Sequence, residues 1–497
     1  MPAPRPLRRP RLFALAVAMM AGSAARAAGD RAPAVAPAVA PAAVPAALVT
    51  EAQMLDETNA LAQAIGRARR TRVRIDWQRR LVSAVDARVA AEALVRGGAS
   101  PAETEVDEKL FQRLGLLDSG ASYLDRLAGA VGRDPAGFYD PSSRRLLVPD
   151  FVSLAEQRPA LAHEIAHALQ DQRFGLRRFL RTTPDGRRGL SMDEQLARQA
   201  LIEGDATVVS MEAIDPRGAF PAPIELADTA ARAREGVAPG FPPHTPRFLR
   251  ELLAFPYIEG FAFVARERAT ASWAAIDAIW ARPPESTTQI LHPEKYDRRQ
   301  APVDIELPQL PLMGDSLRLA RADTLGELVL RVWLAAPGPG LAADPLLTRE
   351  TAERAAAGWR GDRVGIYLPA AADAPPPATT PDAAAPPPVR SAAALAWLTT
   401  WESDGDADDF LQSVAPRLAA LAAGGEVEVA LPIDTAERPA VWRERAGDTV
   451  FAVQRRGTAV ALLLGVPEAA IPSLGTMLDV LSAKRGDRSR RAKPAKR

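Results

Sequence analysis

The chain contains no cysteine, which excludes disulfides, thiolate metal sites, a cysteine nucleophile and a lipidated N-terminal cysteine. It also lacks an apolar run of the ~20 residues needed to span a bilayer; LFALAVAMMAG, Leu12 to Gly22, is far shorter. Neither sign of charge dominates. With 62 Lys and Arg against 61 Asp and Glu, the net charge argues against nucleic acid or any other partner held by global electrostatics. Histidine is scarce, at four in 497 residues, so any pair of them at a regular spacing stands out.

What is present is ordinary for a globular protein. Hydrophobic content is 47% and charged content 25%, and the length suffices for two or three domains. The first residues have the layout of an export signal. Arg5, Arg8, Arg9 and Arg11 precede the apolar run, and Ala25-Arg26-Ala27 follows it as a small-x-small cleavage pattern. Residues 1–27 therefore read as a signal peptide. The expectation is a soluble mature chain, periplasmic or secreted, with no transmembrane segment. Abundant Ala and Pro, with Arg as the main base, read as the mark of a GC-rich bacterial genome. Residues 28–47 form a Pro/Ala linker that cannot build a packed core. The stretch from Lys484 to Arg497 is dense in Lys and Arg and reads as a solvated basic tail.

Between these ends the pattern is α+β. A first domain spans residues 48–300. It contains a strand-like RLVSAV from Arg80 and a β-hairpin, GFYD–PSSRR–LLVPD, over Gly137 to Asp150. A helix is expected from Pro159, as its first residue, to about Arg173. Others cover Met192 to Ala213, Thr245 to Arg268 and Ser272 to Trp280, and Pro283 to Tyr296 reads as largely irregular. A smaller accessory domain, also α+β, follows over 301–483. Within it GDRVGIYL (Gly361 to Leu368) and AAALAWLTTW (Ala392 to Trp401) read as paired strands. The Pro/Ala-rich residues 369–389 between them read as an expanded loop. Trp333, Trp359, Trp397 and Trp401 are expected in its core, with an exposed carbohydrate or peptide platform as the alternative.

The chemistry concentrates at His163-Glu164-Ile165-Ala166-His167. On a helix, residues i and i+4 share a face, so both imidazoles can address one ion. Glu164 is offset around the helix, within reach of a water on that ion and poorly placed as a ligand. Neutral imidazoles suit zinc, and a catalytic zinc keeps three protein ligands and one open position. No histidine follows closely enough to be the third ligand. Glu203, in ALIEGDATVV, shares a helical face with Leu196, Ala200 and Thr207, and a lone carboxylate on so apolar a face is costly without a cation. Glu203 is thus the third candidate ligand to Zn2+. A zinc-bound water, activated by Glu164 as general base, is then the expected nucleophile. Asp171 and Asp205 are candidates to orient the imidazole N–H groups. Tyr257 and His292 are candidates to stabilise an oxyanion. His292 is favoured slightly, because its segment is polar while Tyr257 sits among apolar helical residues.

These segments resemble the gluzincin class of zinc metallopeptidases, in which an HExxH helix precedes a second helix bearing a glutamate ligand. The sequence is most similar to a group of secreted bacterial proteins with HExxHALQDQ followed by EGDA, here HEIAHALQDQ (His163 to Gln172) and EGDA (Glu203 to Ala206). GFYDP, STTQILHPEKY and AAAGWRGDR fit the same pattern. The resemblance implies a zincin-like, mainly helical catalytic domain with a small mixed sheet above the HExxH helix. It also implies a peptide or protein substrate paired with an edge strand of that sheet, for which the Gly137–Asp150 hairpin is the candidate. The alternatives are a zinc-binding envelope protein without peptidase activity and a zinc hydrolase of a non-peptide bond.

Overall fold

The computed structural model describes residues 48–98, 100–131, 137–183, 189–215, 241–242, 244–310, 313, 317–336, 349–370, 393–423 and 441–481. Residues 1–27, expected to be a signal peptide, the Pro/Ala linker, most of the internal Pro/Ala stretch and the basic tail lie outside the described residues.

The chain begins with α1 (Glu51–Arg69), β1 (Gln78–Val82), α2 (Ala84–Gly98), α3 (Pro101–Arg113) and α4 (Tyr123–Val131). The expected hairpin follows as β2 (Phe138–Asp140) and β3 (Arg145–Pro149). β3 pairs antiparallel with β2 and parallel with β1, giving a three-stranded mixed sheet in the order β1-β3-β2. β2 is therefore an edge strand.

Helices come next: α5 (Leu154–Phe174), α6 (Leu176–Phe179), α7 (Met192–Ile214), α8 (Arg247–Thr270), α9 (Trp273–Ala281), α10 (Thr287–Leu291) and α11 (Pro293–Asp297). Two expectations are corrected. α5 starts at Leu154, not at Pro159, because Ser153 and Glu156 form a reciprocal capping box at its N-terminus. Pro159 lies inside the helix, where its ring nitrogen forgoes one backbone bond. The segment from Pro283 to Tyr296 is not irregular: α10 and α11 occupy most of it.

Both α5 and α7 are buried on nearly every side, over Ala160–Gln170 and Met192–Ala206, so they run through the interior rather than along a surface. α7 and α8 approach closely at two glycines. A Cβ on Gly204 would stand 2.1 Å from the Gly260 carbonyl oxygen, and one on Gly260 would stand 2.1 Å from that of Ala200. Further along both helices Arg268 bonds Glu212 at 3.1 Å, so the pair runs parallel.

The second half builds a sheet with helices: β4 (Leu317–Asp323), α12 (Gly326–Ala335), α13 (Arg349–Ala357), β5 (Trp359–Pro369), β6 (Ala394–Trp401), α14 (Asp404–Ala423), β7 (Val441–Ala446), β8 (Thr449–Arg456) and β9 (Ala459–Pro467), then a helix over 473–481. Six strands follow the order β4-β5-β6-β9-β8-β7, all neighbours antiparallel. β5 and β6 pair as expected. Alternate residues of β6 and β9 point to opposite faces. Leu395, Trp397, Leu462 and Leu464 join a core that also holds Leu196 and Phe263. Ala396, Leu398 and Leu463 pack with Ile305, Leu310 and Leu478 on the other face. The four tryptophans are core residues, each at most 2% exposed, which rules out the platform. Trp359 and Trp397 both donate their indole N–H to Asp362, which also accepts the Leu325 and Gly326 backbone N–H groups.

Among the described residues the protein mixes helices with two sheets, compatible with α+β, and no helix is long and apolar enough to cross a membrane.

Candidate metal centre

α5 places His163 and His167 one turn apart, with ring centroids 4.6 Å apart and planes nearly perpendicular. α7 brings Glu203 against both. His163 Nε2 lies 3.0 Å and His167 Nε2 3.4 Å from the Glu203 Oε2, and the two Nε2 atoms lie 2.9 Å from each other. All three residues are buried, and their ligand atoms lie within 4.8 Å of one another. The three residues singled out by spacing and apolar face therefore form one group able to hold a metal ion.

The donor chemistry fits a cation. Gln170 Nε2 donates to the Ile202 carbonyl (3.0 Å) and to Asp205 Oδ1 (3.3 Å), which leaves its Oε1 facing His167 Nδ1 at 2.9 Å. Nδ1 must then carry the proton, and the Nε2 lone pair points at His163 and Glu203. Glu203 Oε1 has no hydrogen-bond partner although it is buried. Two imidazole nitrogens and a carboxylate thus converge in the interior, and Glu203 Oε1 has no donor among the described residues, a costly arrangement without positive charge. Burial disfavours a charged His167, but Glu203 outweighs it and pushes the imidazole up to about 9. Burial would raise Glu203, yet His167 and His163 hold it down to about 2. Burial and the neighbouring His167 lower His163.

Glu164 is fully buried beside this group. Its Oε2 accepts the Tyr139 backbone N–H from β2 at 2.8 Å, while Oε1 has no partner. Burial pushes its carboxyl up to about 8, against the pull of His167 and the Tyr139 N–H. A carboxyl poised there can both take and give a proton near neutral pH. Tyr139 is held from its other end by Asp171, which accepts its phenol at 2.9 Å. Asp171 thus fixes the hairpin to α5.

Neither aspartate expected to orient an imidazole touches one. Gln170, which sequence reasoning missed, makes the contact to His167, and Asp205 acts one step back. Asp205 accepts from Gln170, from Trp280 Nε1 (2.7 Å) and from Arg69 of α1 (2.8 Å). Arg69 in turn pairs with Asp277 at 2.9 Å and lies over the Trp273 ring. A signal was available: Gln170 stands three residues after His167, on the face of the ligands.

Of the two oxyanion candidates, Tyr257 sits beside the His163–His167–Glu203 group, its ring centroid 6.2 Å from that of His163. It is half-buried, and His163, at 7% exposed, is the more accessible of the two imidazoles. His292 belongs to another polar cluster. Its Nε2 lies 2.8 Å from Glu327 Oε1 and 3.1 Å from Arg331, and Thr288 donates to Glu327 Oε2.

Residues 316–474 match a family model described as a domain of unknown function (DUF8575). The match covers less than half of the chain and leaves His163, Glu164, His167 and Glu203 outside it. No curated protein and no solved structure matches the chain.

Proposed function

We propose that the protein is an exported zinc metallopeptidase with a zincin-like catalytic half. In this reading His163, His167 and Glu203 hold the metal and Glu164 is the general base. The observation that carries the proposal is the convergence of two imidazole nitrogens and a carboxylate in a buried group, next to a second buried carboxylate with one unpartnered oxygen. Two nitrogens and one oxygen suit Zn2+, which in catalytic sites takes three protein ligands and keeps one exchangeable position. The zincin-like assignment is supported by a small mixed sheet tied to the HExxH helix through the Tyr139–Glu164 bond. Export rests on the layout of residues 1–27.

Zinc in such a site supplies Lewis acidity, which polarises a carbonyl and makes water acidic enough to attack near neutral pH. Glu164 accepts the water's proton on its free Oε1 and later delivers it to the leaving nitrogen. The Tyr139 N–H holds the other oxygen, so the carboxylate keeps one orientation through both transfers. The edge strand β2 is the place where an extended peptide would pair, next to Glu164. Tyr257 is the group best placed to donate a hydrogen bond to the developing oxyanion.

Zinc content measured together with cleavage of a mixed peptide library tests this reading. Stoichiometric zinc and cleavage that chelator abolishes are expected. Stoichiometric zinc with no cleaved peptide would replace the peptidase by a metal-holding scaffold or a hydrolase of another bond.

A further inference from the structure

A cleft of about 1020 Å³ opens where the N-terminus of α7, the extended segment 302–310 and the β4–β5 margin of the large sheet meet. Among the described residues that line it, Asp193, Glu194, Glu285, Asp304 and Glu306 are acidic and Arg363 is basic. Glu285 and Glu306 are exposed, whereas Asp193 is fully buried. One Asp193 oxygen accepts from Thr287, by its backbone N–H and its hydroxyl, and the other, Oδ2, has no donor among the described residues.

The cleft also has an apolar side. Leu319 pairs across the sheet with Tyr367, and both line the cleft. Leu319 is 52% exposed, one of few large apolar side chains left open among the described residues. It lies on β4, the edge strand of the six-stranded sheet, hydrogen-bonded to β5 alone among the described strands. An edge strand carrying an exposed leucine is an invitation to pair with another extended chain, and proteins ordinarily blunt such edges.

We propose that this cleft docks an extended, Lys- or Arg-bearing segment of a polypeptide partner. Cationic side chains face the exposed carboxylates of Glu285 and Glu306, and apolar side chains alternate onto Leu319 and Tyr367. The alternation of an extended chain supplies both kinds of contact at once. Charge complementarity selects a basic partner over an acidic one. The site goes beyond the metallopeptidase reading, because docking needs neither the metal nor Glu164.

The test is fluorescence anisotropy of a labelled ten-residue peptide, alternating Leu with Lys or Arg, titrated with the full chain. Saturable binding is expected, equal with and without zinc and weakening as salt rises. Glu285→Lys together with Glu306→Lys should weaken it at least tenfold while leaving the melting temperature unchanged, since both positions are exposed. Leu319→Ser should weaken it in the same assay. A peptide with Glu in place of its basic residues should not bind. Undiminished binding to the double variant, or equal binding of the acidic peptide, would overturn the proposal. So would binding that appears only once residues 484–497 are removed, which would give the cleft to the chain's own basic tail.

Discussion

The backbone N–H of Tyr139 donates to the Glu164 carboxylate at 2.8 Å, so the hairpin and the HExxH helix are joined at the residue proposed as the general base. The other Glu164 oxygen has no partner. Glu164→Gln can keep the Tyr139 bond through its amide oxygen and present its amide nitrogen where the free oxygen stood. The fold and zinc stoichiometry should therefore persist while kcat falls by roughly two to four orders of magnitude. Near-normal turnover in a zinc-loaded variant would remove Glu164 from the mechanism.

Glu203→Ala deletes the one carboxylate that α7 brings to the two imidazoles. Zinc affinity measured against a chromophoric chelator should drop sharply, as it should for His163→Ala or His167→Ala. Removing zinc from the wild type should lower its melting temperature. An ion that binds only the folded chain stabilises by ~4 kcal/mol when present at a thousand times its dissociation constant. A Glu203→Ala chain that binds zinc as the wild type does would exclude this residue as a ligand.

The Gln170 contact makes a separate prediction. Gln170→Leu removes the acceptor that fixes the His167 Nδ1 proton, and zinc affinity should fall about 10–100-fold. Arg69→Met should act in the same direction but more weakly, since it works through Asp205 and Gln170. Unchanged zinc affinity in the Gln170 variant would show that His167 needs no such orientation.

Part of this arrangement was legible in the sequence, for a physical reason. His163 and His167 are fixed relative to each other by helical geometry, and Glu203 betrays itself as a charge on an apolar face. The β5–β6 pairing could be read from two β-prone runs. What was not legible depended on contacts between distant segments. Asp205 and Asp171 look like natural partners for the imidazoles, but Asp205 is drawn to Arg69 and Trp280, and Asp171 to Tyr139. The start of α5 was misplaced because Pro159 suggests a first turn, while Ser153 and Glu156 had already closed one.

The glycine of EGDA has a packing role that the motif does not reveal. Alanine favours a helix over glycine by ~1 kcal/mol, so Gly204→Ala would stabilise an isolated α7. Here the added Cβ would stand 2.1 Å from the Gly260 carbonyl oxygen, and backbone cannot rotate aside. The variant should lose about 3 kcal/mol by denaturant unfolding. Gly260→Ala should lose a comparable amount through its clash with Ala200. Wild-type stability in both would mean that α7 and α8 can separate at no cost.

Tyr257 and His292 differ in where the fold puts them, and kinetics can separate them. Tyr257 stands beside His163, with ring centroids 6.2 Å apart, whereas His292 is bonded to Glu327 and Arg331. A group that meets only the developing oxyanion should lower kcat and kcat/KM together, with KM and zinc affinity nearly unchanged. One such donor is typically worth ~10²–10³ in kcat. Tyr257→Phe deletes one hydroxyl and keeps the ring, so a loss of that size is expected there. His292→Gln should instead disturb its cluster, since Glu327 is fully buried and would lose one of its donors. A lower melting temperature with little change in kcat per folded, zinc-loaded molecule is the outcome expected for His292. The reverse pattern would exchange the two roles. If neither variant lost more than a few-fold in kcat, the metal or another residue would have to stabilise the oxyanion, and both side chains would be structural.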